Sequence, residues 1–257
     1  MHITTQLAIF NVQTIQSARF LFINMDKATR RLYINVTDRC NTNCPFCCMY
    51  SGTDNRLDMT FDTFKKIVDD TGSEIFELQL EGGEPLIFPK LYLFIEYAIA
   101  TGRCAKVIVL TNGIELENNL RRLVQIHQWY STEFRIKVSV NYHLLKVHDN
   151  HLKTLADLVF ATELLPNFNI ELNTRKRHTD QWIDAEIDAF GLSEINHSFE
   201  LQSYGRMTGS NYDGVKIVQN IDSWEIYAVD GKCFGTDLVA RSEYEKKLAE
   251  EAKNEHD

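Results

Sequence analysis

No apolar run in the 257-residue chain reaches the roughly 18 residues needed to cross a bilayer. Nor does its N-terminus show the basic, apolar and small-residue succession of a secretory signal. A soluble cytoplasmic protein with no membrane partner is expected. Basic charge is also short, since 27 Lys and Arg against 36 Asp and Glu give a net charge of -9. That balance does not suit neutralising phosphates, so nucleic acid is not expected as a partner. Internal repeats and low-complexity linkers are missing, and 44% hydrophobic with 25% charged residues suits one large globular domain with small appendages. Cysteine is sparse, six in all. In a reducing compartment so few do not make a disulfide framework, and clustered ones point to metal or redox chemistry.

What is present is an alternation. Leu32–Val36, Phe76–Leu80, Lys106–Leu110, Arg135–Val140, Asn169–Leu172 and Ser198–Leu201 read as short strands. Between them Phe61–Thr71, Lys90–Thr101, Leu116–Tyr130, His151–Leu164 and Asp180–Phe190 have helical spacing. Strands separated by such helices pair in parallel, giving an α/β fold that is either a doubly wound sheet or a full or partial barrel. Chemistry then belongs at the carboxyl ends of the strands. Residues 1–31 read as an accessory segment with a strand at Phe20–Asn24, 32–205 as the core, and 206–257 as a C-terminal appendage. In that appendage Trp224–Val229 and Lys232–Val239 flank Asp230-Gly231, which predicts a hairpin, followed by a helix over Ser242–Glu250.

Cys40, Cys44 and Cys47 form a C-x3-C-x2-C run directly after the first strand. One loop can thereby offer three thiolates to three corners of an iron-sulfur cube and leave the fourth iron open. Zinc is the alternative, but it usually closes its tetrahedron with paired C-x2-C units, and neither His127 nor any other distant residue shows that partner spacing. The second strand ends in Glu81-Gly82-Gly83-Glu84-Pro85 and the third in Thr111-Asn112-Gly113. A Gly-Gly pair alone is only a turn, whereas beside the cysteine run it offers backbone to a close ligand.

The two motifs together resemble the radical S-adenosylmethionine (SAM) superfamily over about Leu32 to Gly205. The resemblance implies a partial (β/α)6 TIM-like barrel, a [4Fe-4S] cluster on Cys40, Cys44 and Cys47, and SAM chelating the open iron. It implies that Phe46 shields the adenine, that Gly82, Gly83 and Glu84 receive the methionyl amino group, and that Thr111 and Asn112 lie beside the cofactor. Ser139 and Asn141, followed by His148-Asp149, are similar to a segment of the peptide-modifying branch, which puts Ser139 near the ribose. Leu152 and Lys153 stand where that branch often has an arginine, so Lys153 and Arg175 are the candidates for the cofactor carboxylate. Tyr204 and Arg206 resemble a position that contacts cofactor or substrate.

The expected reductant is a flavodoxin or ferredoxin, and the expected outcome is epimerisation or cross-linking of a ribosomally made peptide or related natural product. Three cysteines remain, too few for the full SPASM extension of many peptide maturases. Cys233, on the expected hairpin, and Cys48, beside the cluster loop, are the candidate hydrogen-atom donors. Each has a plain packing alternative, and Cys104 reads as structural. A glycyl radical activase is the second enzyme reading, although Ser139-Val140-Asn141 stands where activases commonly carry Asp-Leu-Lys. A compact enzyme acting on a small molecule such as a sugar or deazapurine is the third. A non-enzymatic zinc or electron-transfer module is the reading from a different class.

Overall fold

A computed structural model describes residues 28–201, 204–207, 221 and 223–254; the accessory strand expected at Phe20–Asn24 lies outside them. Seven strands, β1 (Arg30–Thr37), β2 (Phe76–Gly82), β3 (Cys104–Thr111), β4 (Glu133–Val140), β5 (Phe168–Lys176), β6 (Asn196–Glu200) and β7 (Ser223–Tyr227), form one sheet. The order is β6-β5-β4-β3-β2-β1-β7, with every neighbouring pair parallel. The sheet curls into a half-barrel. Helices α1 (Phe61–Asp69), α2 (Leu91–Ala100), α3 (Leu116–Tyr130), α4 (Tyr142–Val147), α5 (His151–Thr162) and α6 (Trp182–Ala189) lie between consecutive strands from β1 to β6.

Strand periodicity explains the two faces. On β4, Phe134, Ile136, Val138 and Val140 are buried in the helix-covered core, together with Leu32, Ile34 and Val36 of β1 and Leu78 and Leu80 of β2. The alternate residues face the lumen and are polar. Arg31 bonds Glu77 at 2.6 Å, Lys106 bridges Glu77 and Glu133 at 3.1 and 3.0 Å, and Arg135 meets Glu171 at 3.2 Å. This ion ladder crosses the lumen near the strand starts. Removing one member of such a partly buried pair strands its partner, at about 3–5 kcal/mol.

Helix boundaries follow local chemistry. Thr60 caps α1 by accepting from Thr63 N, and Phe64 stacks on Phe94 at 4.1 Å to pin α1 against α2. Asn141 caps α4, accepting from the N–H groups of His143 and Leu144.

The C-terminal region keeps the expected turn and fold-back, with a shorter second arm than the sequence predicts. The Asp230-Gly231 turn forms, with Gly231 at φ 89°, and a single antiparallel bridge joins Tyr227 to Cys233. Lys232–Gly235 folds back along the first arm, with 2.9 Å bonds from Ile226 N to Gly235 O, Phe234 N to Ile226 O and Ala228 N to Lys232 O, but forms no full second strand before α7 (Leu238–Asn254) begins. The first arm also pairs in parallel with β1 and extends the sheet. Helix α7 then packs on the lumenal side of β1 and β2. Arg241 meets Glu81 at 2.7 Å, and Glu245 accepts from Asn35 at 2.5 Å and from Val229 N at 3.0 Å.

Candidate active site

All three clustered cysteines lie on one loop at the carboxyl end of β1. Its start is pinned to the next unit by backbone bonds from Gly83 N to Thr37 O at 2.7 Å and from Glu84 N to Arg39 O at 2.9 Å. The two glycines are required by the chain itself. A Cβ on Gly83 would lie 2.0 Å from the Arg39 carbonyl, and one on Gly82, at φ 130°, would lie 1.8 Å from Asn35 Oδ1. Close approach of β2 to the cysteine loop therefore needs glycine before any ligand is considered.

Glu84 has no accessible surface and uses both carboxylate oxygens within the fold. Oε1 accepts from Thr111 Oγ1 at 2.7 Å and from Leu86 N at 2.9 Å, while Oε2 accepts from Asn112 N at 2.7 Å. Burial raises its carboxyl to about 7, against the lowering effect of those bonds. The side chain is thus a brace between the ends of β2 and β3. Asn112 continues the brace, since its Nδ2 donates to Asn41 Oδ1 at 2.7 Å and approaches Cys40 Sγ at 3.7 Å. Thr42 Oγ1 lies 3.8 Å from Cys44 Sγ and 3.1 Å from His143 Nε2.

Arg206 closes the loop from the other side. It donates to the carbonyls of Cys44 at 3.2 Å and Tyr50 at 2.8 Å, and its own N–H bonds the Cys47 carbonyl at 3.1 Å. Gly205, at φ 71°, lets the chain pass against the Cys48 backbone, where a Cβ would come within 2.4 Å of Cys48 Cα. The resemblance suggests a cofactor or substrate contact for Arg206; the structure uses it to hold the loop's shape.

The donor set fits an iron-sulfur cube. The three thiols are free of disulfides, partly buried on one braced loop, and approached by polar groups at Cys40 and Cys44. Burial pushes the Cys40 thiol up to about 12 and that of Cys44 to about 11, so they would ligate as thiolates only with a metal cation beside them. Among the described residues no three His, Cys, Asp or Glu side chains converge to hold one ion.

Residues 34–160 match the family described as the Radical SAM superfamily. The chain belongs to this superfamily. Several relatives cover it in part. It is 26% identical over 215 residues to the GTP 3',8-cyclase of Staphylococcus epidermidis, covering 74% of this chain and 59% of that protein. An uncharacterized protein of Methanocaldococcus jannaschii, MJ0907, is 26% identical over 191 residues, covering 67% of this chain and 62% of the other. Among solved structures, SuiB of Streptococcus suis bound to its precursor peptide SuiA has a TM-score of 0.48 at 13% identity, covering 70% of this chain and 41% of that one. The chain thus spans less than two thirds of the length of each of these proteins. The family match implies a [4Fe-4S] cluster and SAM as cofactors. No helix among the described residues is long and apolar enough to cross a membrane.

The remaining radical SAM candidates separate by position. Phe46 lies 5.3 Å from the Tyr142 ring, and the Arg177 guanidinium sits 3.5 Å over that ring, making an aromatic and cationic wall beside the cysteine loop. Ser139 and Arg175 stand on the lumenal face of β4 and β5, and Arg175 packs 4.5 Å over Phe199 of β6. Cys48 also faces the lumen, with its thiol bonded to the Tyr204 hydroxyl and close to Arg241 and Glu81. Its carbonyl accepts from Ser242 of α7 at 2.5 Å.

Three expectations change. Lys153 is exposed on α5 and paired with Asp157 at 2.9 Å, where the expectation of a cofactor contact finds no support. Asn141 Oδ1 is committed to capping α4. Cys233 is exposed and pairs with Tyr227, which stands beside Ile34 on the helix-covered face, so its thiol does not reach the lumen. The lumenal residues Arg241, Ser242 and Glu245 escape the sequence reading. Their one signal is the i, i+4 spacing of Arg241 and Glu245, which puts both on one helix face.

Proposed function

We propose that this radical SAM chain removes a hydrogen atom from a carbon of a peptide substrate, a ribosomally made peptide or a related natural product, with epimerisation or cross-linking as the outcome. Cys40, Cys44 and Cys47 hold the cluster. That cluster, with a flavodoxin or ferredoxin as reductant, would supply the electron for reductive cleavage of SAM. The observation that carries the reading is the placement of this loop at the carboxyl rim of a polar half-barrel, with the non-ligand thiol of Cys48 facing the lumen.

The chain's own residues orient and enclose. The backbone of Gly82 and Gly83 seats the methionyl amino group, Ser139 lies toward the ribose, and Phe46 with Tyr142 covers the adenine. Arg175 is the remaining candidate for the cofactor carboxylate. Helix α7 fills the lumenal side of β1 and β2 and excludes water there. Cys48, and not Cys233, is the thiol positioned to return a hydrogen atom to a substrate radical.

The similarity to GTP 3',8-cyclases supports a second reading, a compact enzyme acting on a small phosphorylated molecule. Peptides encoded beside the gene, made with deuterated carbons, separate the two. The peptide reading predicts deuterium carried into 5'-deoxyadenosine from such a peptide. Transfer from a deuterated nucleotide and from no peptide would replace it with the second reading.

A further inference from the structure

Charges facing the lumen pair almost completely. Glu77 is held by Arg31 and Lys106, Glu133 by Lys106 and Arg135, Glu171 by Arg135 with His197 at 3.8 Å, and Glu81 by Arg241 and Gln79. Lys137 shares that face, since on β4 it alternates with the core residues Ile136 and Val138 and stands between Arg135 and Ser139. It pairs in register with Leu110 on one side and Glu171 on the other. Glu171 is already committed, and among the described residues no carboxylate lies within ion-pair distance of the Lys137 ammonium. A half-buried ammonium with no counter-ion costs free energy unless something else supplies the negative charge.

Its height on the wall gives the second observation. Lys137 is one lumenal step above the ion ladder, and about 6.6 Å along the strand below Ser139, near the carboxyl rim. It therefore lies beneath the level at which the cysteine loop and the glycine turn meet. A molecule placed between ladder and rim meets this ammonium first. Burial lowers the Lys137 pKa to about 8, with Arg31 and Arg135 adding to the effect and Glu171 and Glu81 opposing it, so a bound anion would relieve the strain of the charged form.

We propose that Lys137 anchors an oxyanion of the substrate, a carboxylate or a phosphate, on the lumen wall below the cofactor. The inference rests on the reading of the lumen as the substrate chamber. It narrows that reading to a substrate with a negative group placed one strand step below the reacting carbon. An acidic side chain or C-terminus would supply a carboxylate, and a phosphorylated small molecule a phosphate. Arg175, two lumenal positions above Glu171 on β5, remains free for the cofactor carboxylate.

The test uses the full chain, reconstituted anaerobically, with glutarate and inorganic phosphate as probes and sodium chloride as the ionic-strength control. One of the two probes should raise the melting temperature saturably in the wild type. Its half-saturating concentration should rise at least tenfold in Lys137→Gln, stay within about threefold in Lys137→Arg, and be unchanged in Lys153→Gln. A response to glutarate assigns a carboxylate substrate, and a response to phosphate alone a phosphorylated one. Stabilisation by neither probe beyond chloride, or a Lys137→Gln protein that responds like the wild type, overturns the proposal. So does a tenfold rise in the SAM concentration needed for 5'-deoxyadenosine formation by Lys137→Gln, because Lys137 would then serve the cofactor. If the wild type binds a probe at Lys137 but makes no 5'-deoxyadenosine, the anion site stands and the functional reading fails.

Discussion

The backbone N–H of Asn112 donates to Oε2 of Glu84 across 2.7 Å, joining the turn after β3 to the turn after β2 through one buried carboxylate. Because Asn112 also reaches Asn41 and Cys40, this pair transmits the position of the glycine turn to the cysteine loop. Glu84→Ala leaves the N–H groups of Asn112 and Leu86 buried without acceptors, each at about 1–3 kcal/mol. Urea denaturation should show a loss of at least about 2 kcal/mol. A loss indistinguishable from zero would mean that the brace is dispensable.

Gly83→Val should remove the cluster as well as cofactor cleavage. The new Cβ would sit 2.0 Å from the Arg39 carbonyl, which is backbone and has no rotamer to give way. Iron analysis after reconstitution checks this. A variant with a full iron complement that merely fails to bind SAM would show that the glycine serves the ligand alone.

How much of this was legible beforehand depended on the range of each interaction. Helix α3 runs over Leu116–Tyr130 as its apolar spacing predicts, and β1 to β6 overlap the expected strands, because both patterns are local. The arm Trp224–Val229 was legible as a strand next to an Asp-Gly turn. Its partner was not, since pairing with β1 joins residues nearly two hundred positions apart, as in Ile34 with Tyr227. The same limit hid the destination of Cys233. Glu84 shows the opposite case: its motif is conspicuous in the sequence, but only the fold reveals that both its oxygens are spent on Thr111, Leu86 and Asn112.

The two spare thiols should behave differently. Cys233→Ala changes an exposed side chain on the outer face and should leave turnover intact, with a stability change within about 0.5 kcal/mol. Cys48→Ala should still form 5'-deoxyadenosine, because abstraction precedes donation, while product fails to accumulate or a side product appears. In heavy water the wild type should place one solvent deuterium on the product carbon. Product without that deuterium would exclude donation by Cys48 and favour a cross-link.

Stability should fall as pH rises from about 4.5 to 7. Burial raises the Glu245 carboxyl to about 7 despite the pull of Asn35 and Arg241, and its Oε2 has no partner among the described residues. Below about 4.5 folded and unfolded chains both carry the proton and nothing is lost. Between the two values only the folded chain does, and above about 7 the full cost of the buried charge applies. Glu84, raised to about 7 in the same way, titrates alongside. Glu245→Gln keeps one acceptor oxygen and should roughly halve the slope of melting temperature against pH. An unchanged slope would place the effect elsewhere.

Anaerobic reconstitution with iron and sulfide, followed by reduction in the presence of SAM, tests the central claim most directly. The wild type should turn brown, hold about four irons per chain and form 5'-deoxyadenosine, and the variant with Cys40, Cys44 and Cys47 all changed to alanine should do none of these. A colourless zinc protein, or a triple variant that keeps its full iron and still cleaves SAM, would contradict the account.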